Sequence, residues 1–159
     1  MAILQRPDGP DPMHAAVIDD AAHTLLLAFD VAREQATPRL SAPQLNALLA
    51  VERAEGINLG GLAGEMSMLL SSASRLCDRL VASGMVERVP GRADRREIAL
   101  HLTPASRALL AELRRARRTA LAAVLERMTG SGRAALVRGL TEFAAAADEN
   151  AQEASAQTA

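Results

Sequence analysis

Aromatic side chains are nearly missing from this chain of 159 residues: Phe29 and Phe143 are present, with no Trp and no Tyr. A core must then be assembled from Ala, Leu, Val and Met, which favours helix packing over a β-sandwich. Lysine is absent too, so all 18 basic residues are Arg. Cysteine occurs once, at Cys77. That excludes an intrachain disulfide and a multi-cysteine metal site, and it fits a reducing compartment. No apolar run approaches the ~18 residues that span a bilayer. The opening MAILQRPDGPDPMH has neither the basic head nor the apolar stretch of a secretory signal. The expectation is a cytoplasmic protein with no membrane partner. Apolar content, at 49%, is enough for a folded domain.

A formal net charge of −1 hides an uneven distribution. Residues 1–74 hold four Arg and nine acids, residues 75–118 eleven Arg and five acids, and residues 119–159 three Arg and five acids. The basic middle can attract a polyanion locally, which is the first footprint of a nucleic-acid binder. Scattered Arg on solvated helix faces would give the same count.

Residues 1–12, with Pro7, Gly9, Pro10 and Pro12, read as a flexible arm. Apolar spacing predicts a helix from about Met13 to Gln35, ended by Pro38. A second helix follows Ser41 as N-cap, with Pro43 in its first turn, and stops near Ala54. Asn58 is the expected cap of a short helix over residues 59–66, and another helix spans Leu70 to Ala82, stopped by Gly84. Its inner stripe is Ala73, Leu76, Cys77 and Leu80, which leaves Ser71, Ser72, Ser74, Arg75 and Arg79 on the other faces. Two short helices joined by a tight turn form a helix-turn-helix pattern. Residues 85–89 and 98–102 predict a hairpin whose turn, beginning at Pro90, carries Arg92, Arg95 and Arg96. Thr103 then caps a long helix, with Pro104 at its first position, running to about Met128. Gly130 breaks it, and a last helix runs from after Ser131 to about Asn150, leaving 151–159 as a frayed tail.

A helix fits the ~12 Å major groove of B-DNA. There, serines can meet phosphates or base edges, and Arg can hold guanine at two points. An Arg-bearing hairpin tip suits the narrow minor groove, where negative potential collects.

The ordered set Leu62-Ala63, Ser71–Leu76, Asp78-Arg79-Leu80, Gly84–Arg88, Asp94-Arg95-Arg96 and Leu100–Thr103 resembles the winged helix-turn-helix of the MarR family of bacterial regulators. The wing signature of that family is Asp-x-Arg, three residues, an aliphatic, one residue, then Leu-Thr. Asp94, Arg96, Leu100, Leu102 and Thr103 match it in register. The resemblance implies a mainly α fold with a small β-hairpin wing. The winged helix-turn-helix would occupy 41–103, and a helical dimerisation region 13–40 and 104–150. It implies a homodimer on double-stranded DNA, reading an inverted repeat, often as a repressor released by a small-molecule effector. The helix Leu70–Ala82 would be the recognition helix and Arg96 would enter the minor groove. Asp94 would orient the wing by pairing with Arg88 or Arg96. Family geometry suggests an effector pocket from His23, Phe29, Leu45, Leu49, Leu113 and Arg117. The alternative is a winged-helix module for a protein or ligand that has lost sequence-specific DNA readout.

At the start of the recognition helix the family usually has Gly-x-Ser-Pro, and this chain has Ser67-Met68-Leu69-Leu70. Leu69 is a poor N-cap, for which Ser67 or Ser71 could substitute by shifting the helix start. The Leu69-Leu70 pair could meet a thymine methyl; packing inside is the favoured expectation. Cys77, on the apolar stripe, reads as a small buried hydrophobe rather than a redox sensor. His14, His23 and His101 lack ligand spacing, so no metal and no cofactor is expected. Arg114, Arg115, Arg117 and Arg118 could touch DNA phosphates or line an anionic ligand pocket; solvation, or pairing with acids such as Asp19, Asp20 and Asp30, is the favoured expectation. Phe29 and Phe143 read as core or dimer contacts. Nothing resembles a Ser-His-Asp order or a phosphate loop, so no catalytic residues and no enzyme are expected.

Overall fold

The computed structural model describes residues 11–35, 38–90 and 98–157. The chain runs α1 (Pro12–Gln35), α2 (Ala42–Arg53), α3 (Leu59–Glu65), α4 (Leu70–Ala82), β1 (Val86–Pro90), β2 (Ile98–Leu102), α5 (Pro104–Leu125) and α6 (Gly130–Gln157). It divides into two compact units at Arg117 and Arg118, within α5.

Local chemistry explains where these elements begin. Ser41 and Gln44 form a reciprocal capping box: the Ser41 amide donates to Gln44 Oε1 at 2.9 Å, and the Gln44 amide donates to Ser41 Oγ at 3.4 Å. Asn58 Oδ1 caps α3 by accepting from the Gly61 amide at 2.8 Å. Thr103 Oγ1 accepts from the Ser106 amide at the start of α5 and donates to the Gly84 carbonyl at 2.7 Å. One hydroxyl thereby ties the end of the hairpin to the turn that precedes it. Gly84 holds φ +70°, a left-handed conformation that ends α4 at little cost for glycine.

The hairpin is antiparallel, with Val86 opposite Leu102 and Arg88 opposite Leu100. It does not rest on its own pairing alone. The Leu100 amide donates to the Ile57 carbonyl at 2.9 Å, and the Gly56 amide donates to the Leu100 carbonyl at 3.1 Å. The segment between α2 and α3 thus lines β2 on its free edge, which fixes the root of the wing against the helices.

The core joins Leu45, Leu48 and Val51 of α2, Leu62 of α3, Leu76, Cys77 and Leu80 of α4, Leu100 and Leu102 of β2, and Leu109, Leu110 and Leu113 of α5. No aromatic ring enters it, as the composition requires. The buried Ser106 hydroxyl is satisfied by donating to the Thr103 carbonyl at 2.9 Å.

Several expectations need correction. Pro90 closes β1 opposite Ile98 instead of opening the turn; at a strand end its missing donor costs no ladder bond. The long helix stops at Leu125, short of Met128, and α6 begins at Gly130, where Thr129 Oγ1 accepts from the Gly132 amide at 3.1 Å. Residues expected to fray after Asn150 continue α6 to Gln157. Phe143 is exposed in the single chain, so it is no core residue there. Leu136 and Leu140 on α6, and Met13, Val17, Leu27 and Val31 on α1, are likewise exposed.

Candidate nucleic-acid interface

The turn between α3 and α4 sets the direction of the second helix. Met66 ends α3, and the Met68 amide returns to the Ala63 carbonyl at 2.9 Å. Ser67, between them, is held at φ +49°. That conformation costs an L-residue about 1–2 kcal/mol, and it explains why the resembled pattern has glycine here. Ser67→Gly is expected to raise unfolding free energy by roughly 0.5–1 kcal/mol, the relief of strain less the added entropy of an unfolded glycine. Urea unfolding at matched protein concentration checks this, and a loss of stability would refute it.

α4 starts at Leu70 with Leu69 as a cap that makes no side-chain hydrogen bond. Neither Ser67 nor Ser71 shifts the start. Ala73, Leu76, Cys77 and Leu80 are buried as the spacing predicts, and Cys77 is the small buried hydrophobe expected. Ser71, Arg75, Asp78 and Arg79 are exposed on the opposite face, while Ser72 and Ser74 are half-buried at its flanks. Arg75 Nε donates to the Ser71 carbonyl at 3.4 Å, so this side chain lies along the helix surface.

Leu69 and Leu70 do not pack inside. They are 76% and 57% exposed. The inner stripe begins only at Ala73, one turn further along α4.

The root of the hairpin is braced by an ion pair. Arg88 on β1 reaches back to α4, its Nη2 donating to Asp78 Oδ1 at 2.6 Å. The hydrogen bond it donates to Asp78, with a further one to Cys77, holds the guanidinium above its ordinary pKa. This pair links the hairpin to the helix that the hairpin flanks. Asp94, with Arg92, Arg95 and Arg96, lies outside the described residues.

Other ion pairs tie the elements that carry α4. Arg53 Nη2 on α2 meets Glu65 Oε1 on α3 at 2.6 Å. Glu55, just beyond α2, lies 2.9 Å from both His101 Nδ1 on β2 and Arg107 Nη2 on α5. Burial pushes the Glu55 carboxyl up, but the hydrogen bonds from His101 and Arg107 and the Arg107 charge outweigh it and leave the pKa lowered. Arg114 pairs with Glu52 of α2 through both carboxylate oxygens. These partners are far apart in the sequence, and no local spacing marked them.

Of the suggested pocket residues, the structure brings Phe29 and Arg117 together, the guanidinium carbon 5.0 Å from the ring centroid. Arg117 Nε is buried without a hydrogen-bond partner among the described residues. Leu45 and Leu113 fill the core, Leu49 packs against it, and His23 is exposed on α1. Among the described residues no group of three or more His, Cys, Asp or Glu could hold a metal. No described helix is long and apolar enough to cross a membrane.

Residues 40–97 match the family model described as the MarR family. Over 74 residues the chain is 31% identical to an uncharacterized HTH-type transcriptional regulator, YsmB, of Bacillus subtilis (strain 168); this covers 46% of the chain and 51% of the relative, so the match spans about half of that protein's length. The fold is similar to that of RV1404 from Mycobacterium tuberculosis, with a TM-score of 0.80 and 27% identity over 89% of this chain and 97% of that one. It is also similar to Streptococcus pneumoniae FabT, solved in complex with DNA, with a TM-score of 0.65 and 18% identity over 86% of this chain and 96% of that one. At that identity the second likeness speaks to fold alone.

Proposed function

We propose that this chain, whose residues 40–97 match the MarR family model, is a member of that family: a sequence-specific DNA-binding transcriptional regulator acting as a homodimer in the cytoplasm. The observation that carries this reading is the outer face of α4. Ser71, Arg75 and Arg79 are exposed there while the opposite stripe is anchored in the core. That is the arrangement a groove-reading helix needs: a fixed back and a free front of donors. Arg92, Arg95 and Arg96 on the wing would add minor-groove and phosphate contacts. Exposed apolar side chains on α1 and α6 support a role for 13–40 and 104–150 in pairing two copies, since large apolar patches mark interaction surfaces. Repression is the proposed sign of regulation. Phe29 and Arg117, already in contact, are the proposed part of an effector site for an anionic or aromatic small molecule. This role needs no catalytic chemistry.

Footprinting the full-length protein on genomic DNA tests the proposal. The expected result is protection of an inverted repeat whose half-sites are centred about one helical turn, ~34 Å, apart. Affinity should fall steeply with salt, by a log–log slope of about 0.9 per neutralised phosphate. Absence of any protected repeat would favour the reading as a protein- or ligand-binding module.

A further inference from the structure

We infer that Leu69 and Leu70 form an apolar reading head that selects thymine in the major groove through its 5-methyl group. The inference rests on the DNA-binding reading above and specifies what that surface recognises. Both leucines sit at the leading end of α4, where they are 76% and 57% exposed. The N-terminal residues of a recognition helix are the ones that reach base edges. At about 100° per residue both leucines fall on the side of Ala73, Leu76 and Cys77, one turn ahead of that buried stripe and exposed at the open end of the helix, while Ser71 and Arg75 follow on the opposite, exposed face.

Chemistry narrows what two leucines can recognise. The major-groove edges of guanine, cytosine and adenine offer acceptors and donors, and thymine adds a methyl group. A leucine can neither donate nor accept a hydrogen bond. Against a guanine or adenine edge it would strip water from polar atoms and return nothing, which is costly. Against a thymine methyl it buries apolar surface on both sides. A serine-proline start would cap the helix; Leu69 leaves that cap unmade and presents an apolar tip in its place. The same substitution that weakens the helix start therefore changes what the start can read.

The test uses the full chain and duplexes it selects from a randomised pool at low salt. Each thymine in the selected half-site is replaced in turn by deoxyuridine, which lacks only the methyl, and affinity is measured by fluorescence anisotropy. At one or two positions wild type should lose affinity roughly fourfold per half-site, the equivalent of one buried methylene, and roughly fifteenfold when both half-sites are changed. The double variant Leu69→Ala, Leu70→Ala should bind the thymine and uracil duplexes equally. Its melting temperature should match wild type, because both side chains are exposed. Leu69→Met should keep the discrimination. A wild type that selects a sequence yet ignores every uracil replacement overturns the inference and leaves DNA reading intact. A double variant that still discriminates also overturns it, and assigns the leucines to another surface. A wild type that selects no sequence at all removes the DNA-binding reading, and this inference with it.

Discussion

Leu48→Ala is expected to lower the unfolding free energy by about 2–5 kcal/mol, much of the 5–15 kcal/mol that a domain has in total. Leu48 is 0% exposed at the centre of the winged-helix core. The residues around it come from helices and from β2, and each of these elements is itself pinned by hydrogen bonds or ion pairs. Such a site collapses little when a side chain is cut back, so the cavity cost adds to the lost burial. Leu69→Ala is the matched control: the same atoms removed from an exposed position should change stability by less than about 0.5 kcal/mol. Urea unfolding of the two variants at one protein concentration decides the matter. Equal losses would mean that Leu48 does not occupy the tight core described.

The second large effect concerns DNA. Arg75→Ala should weaken binding to a selected inverted repeat by roughly tenfold to a hundredfold, the range for one bidentate base contact, and should relax preference at one position of each half-site. Arg96→Ala, on the wing, should weaken binding strongly as well and lower the salt slope by about 0.9 per lost phosphate contact. Arg138→Ala should do little. Arg138 is as exposed as Arg75 and carries the same charge, but it lies on α6, outside the proposed DNA face. Gel shifts across a salt series measure all three. Equal losses from the three variants would mean that charge alone, without placement, drives association.

Asp78 adds a constraint on that experiment. Its carboxylate holds Arg88, and through it the hairpin, at 2.6 Å. A pair this exposed contributes little to stability. Its proposed importance is positional, keeping the wing at a set distance from α4. By resemblance Asp94 would pair with Arg88 or Arg96, and both Asp94 and Arg96 lie outside the described residues. Arg88 pairs with Asp78 on α4, so one brace runs between hairpin and helix.

The helices and strands of the winged region were readable from residue order because their causes are local. Ser41, Asn58 and Thr103 each satisfy amides within three residues of themselves, and Ala73, Leu76, Cys77 and Leu80 recur at the period of a helix. Burial of that stripe and exposure of Arg75 and Arg79 follow from the same periodicity. Other features depended on which distant segments meet. Glu52 with Arg114, Glu55 with His101 and Arg107, and Asp78 with Arg88 are encounters between elements, and charge pairing between long side chains leaves no periodic trace. The Leu69-Leu70 pair shows the limit most plainly. Apolar residues in a row argue for burial when position is unknown; here they precede the buried stripe of α4 by one turn and stay exposed. Helix periodicity and capping are short-range physics, written into neighbouring residues. Whether a leucine ends in the core or in solvent, and which acid an arginine finds, is settled only when the segments pack.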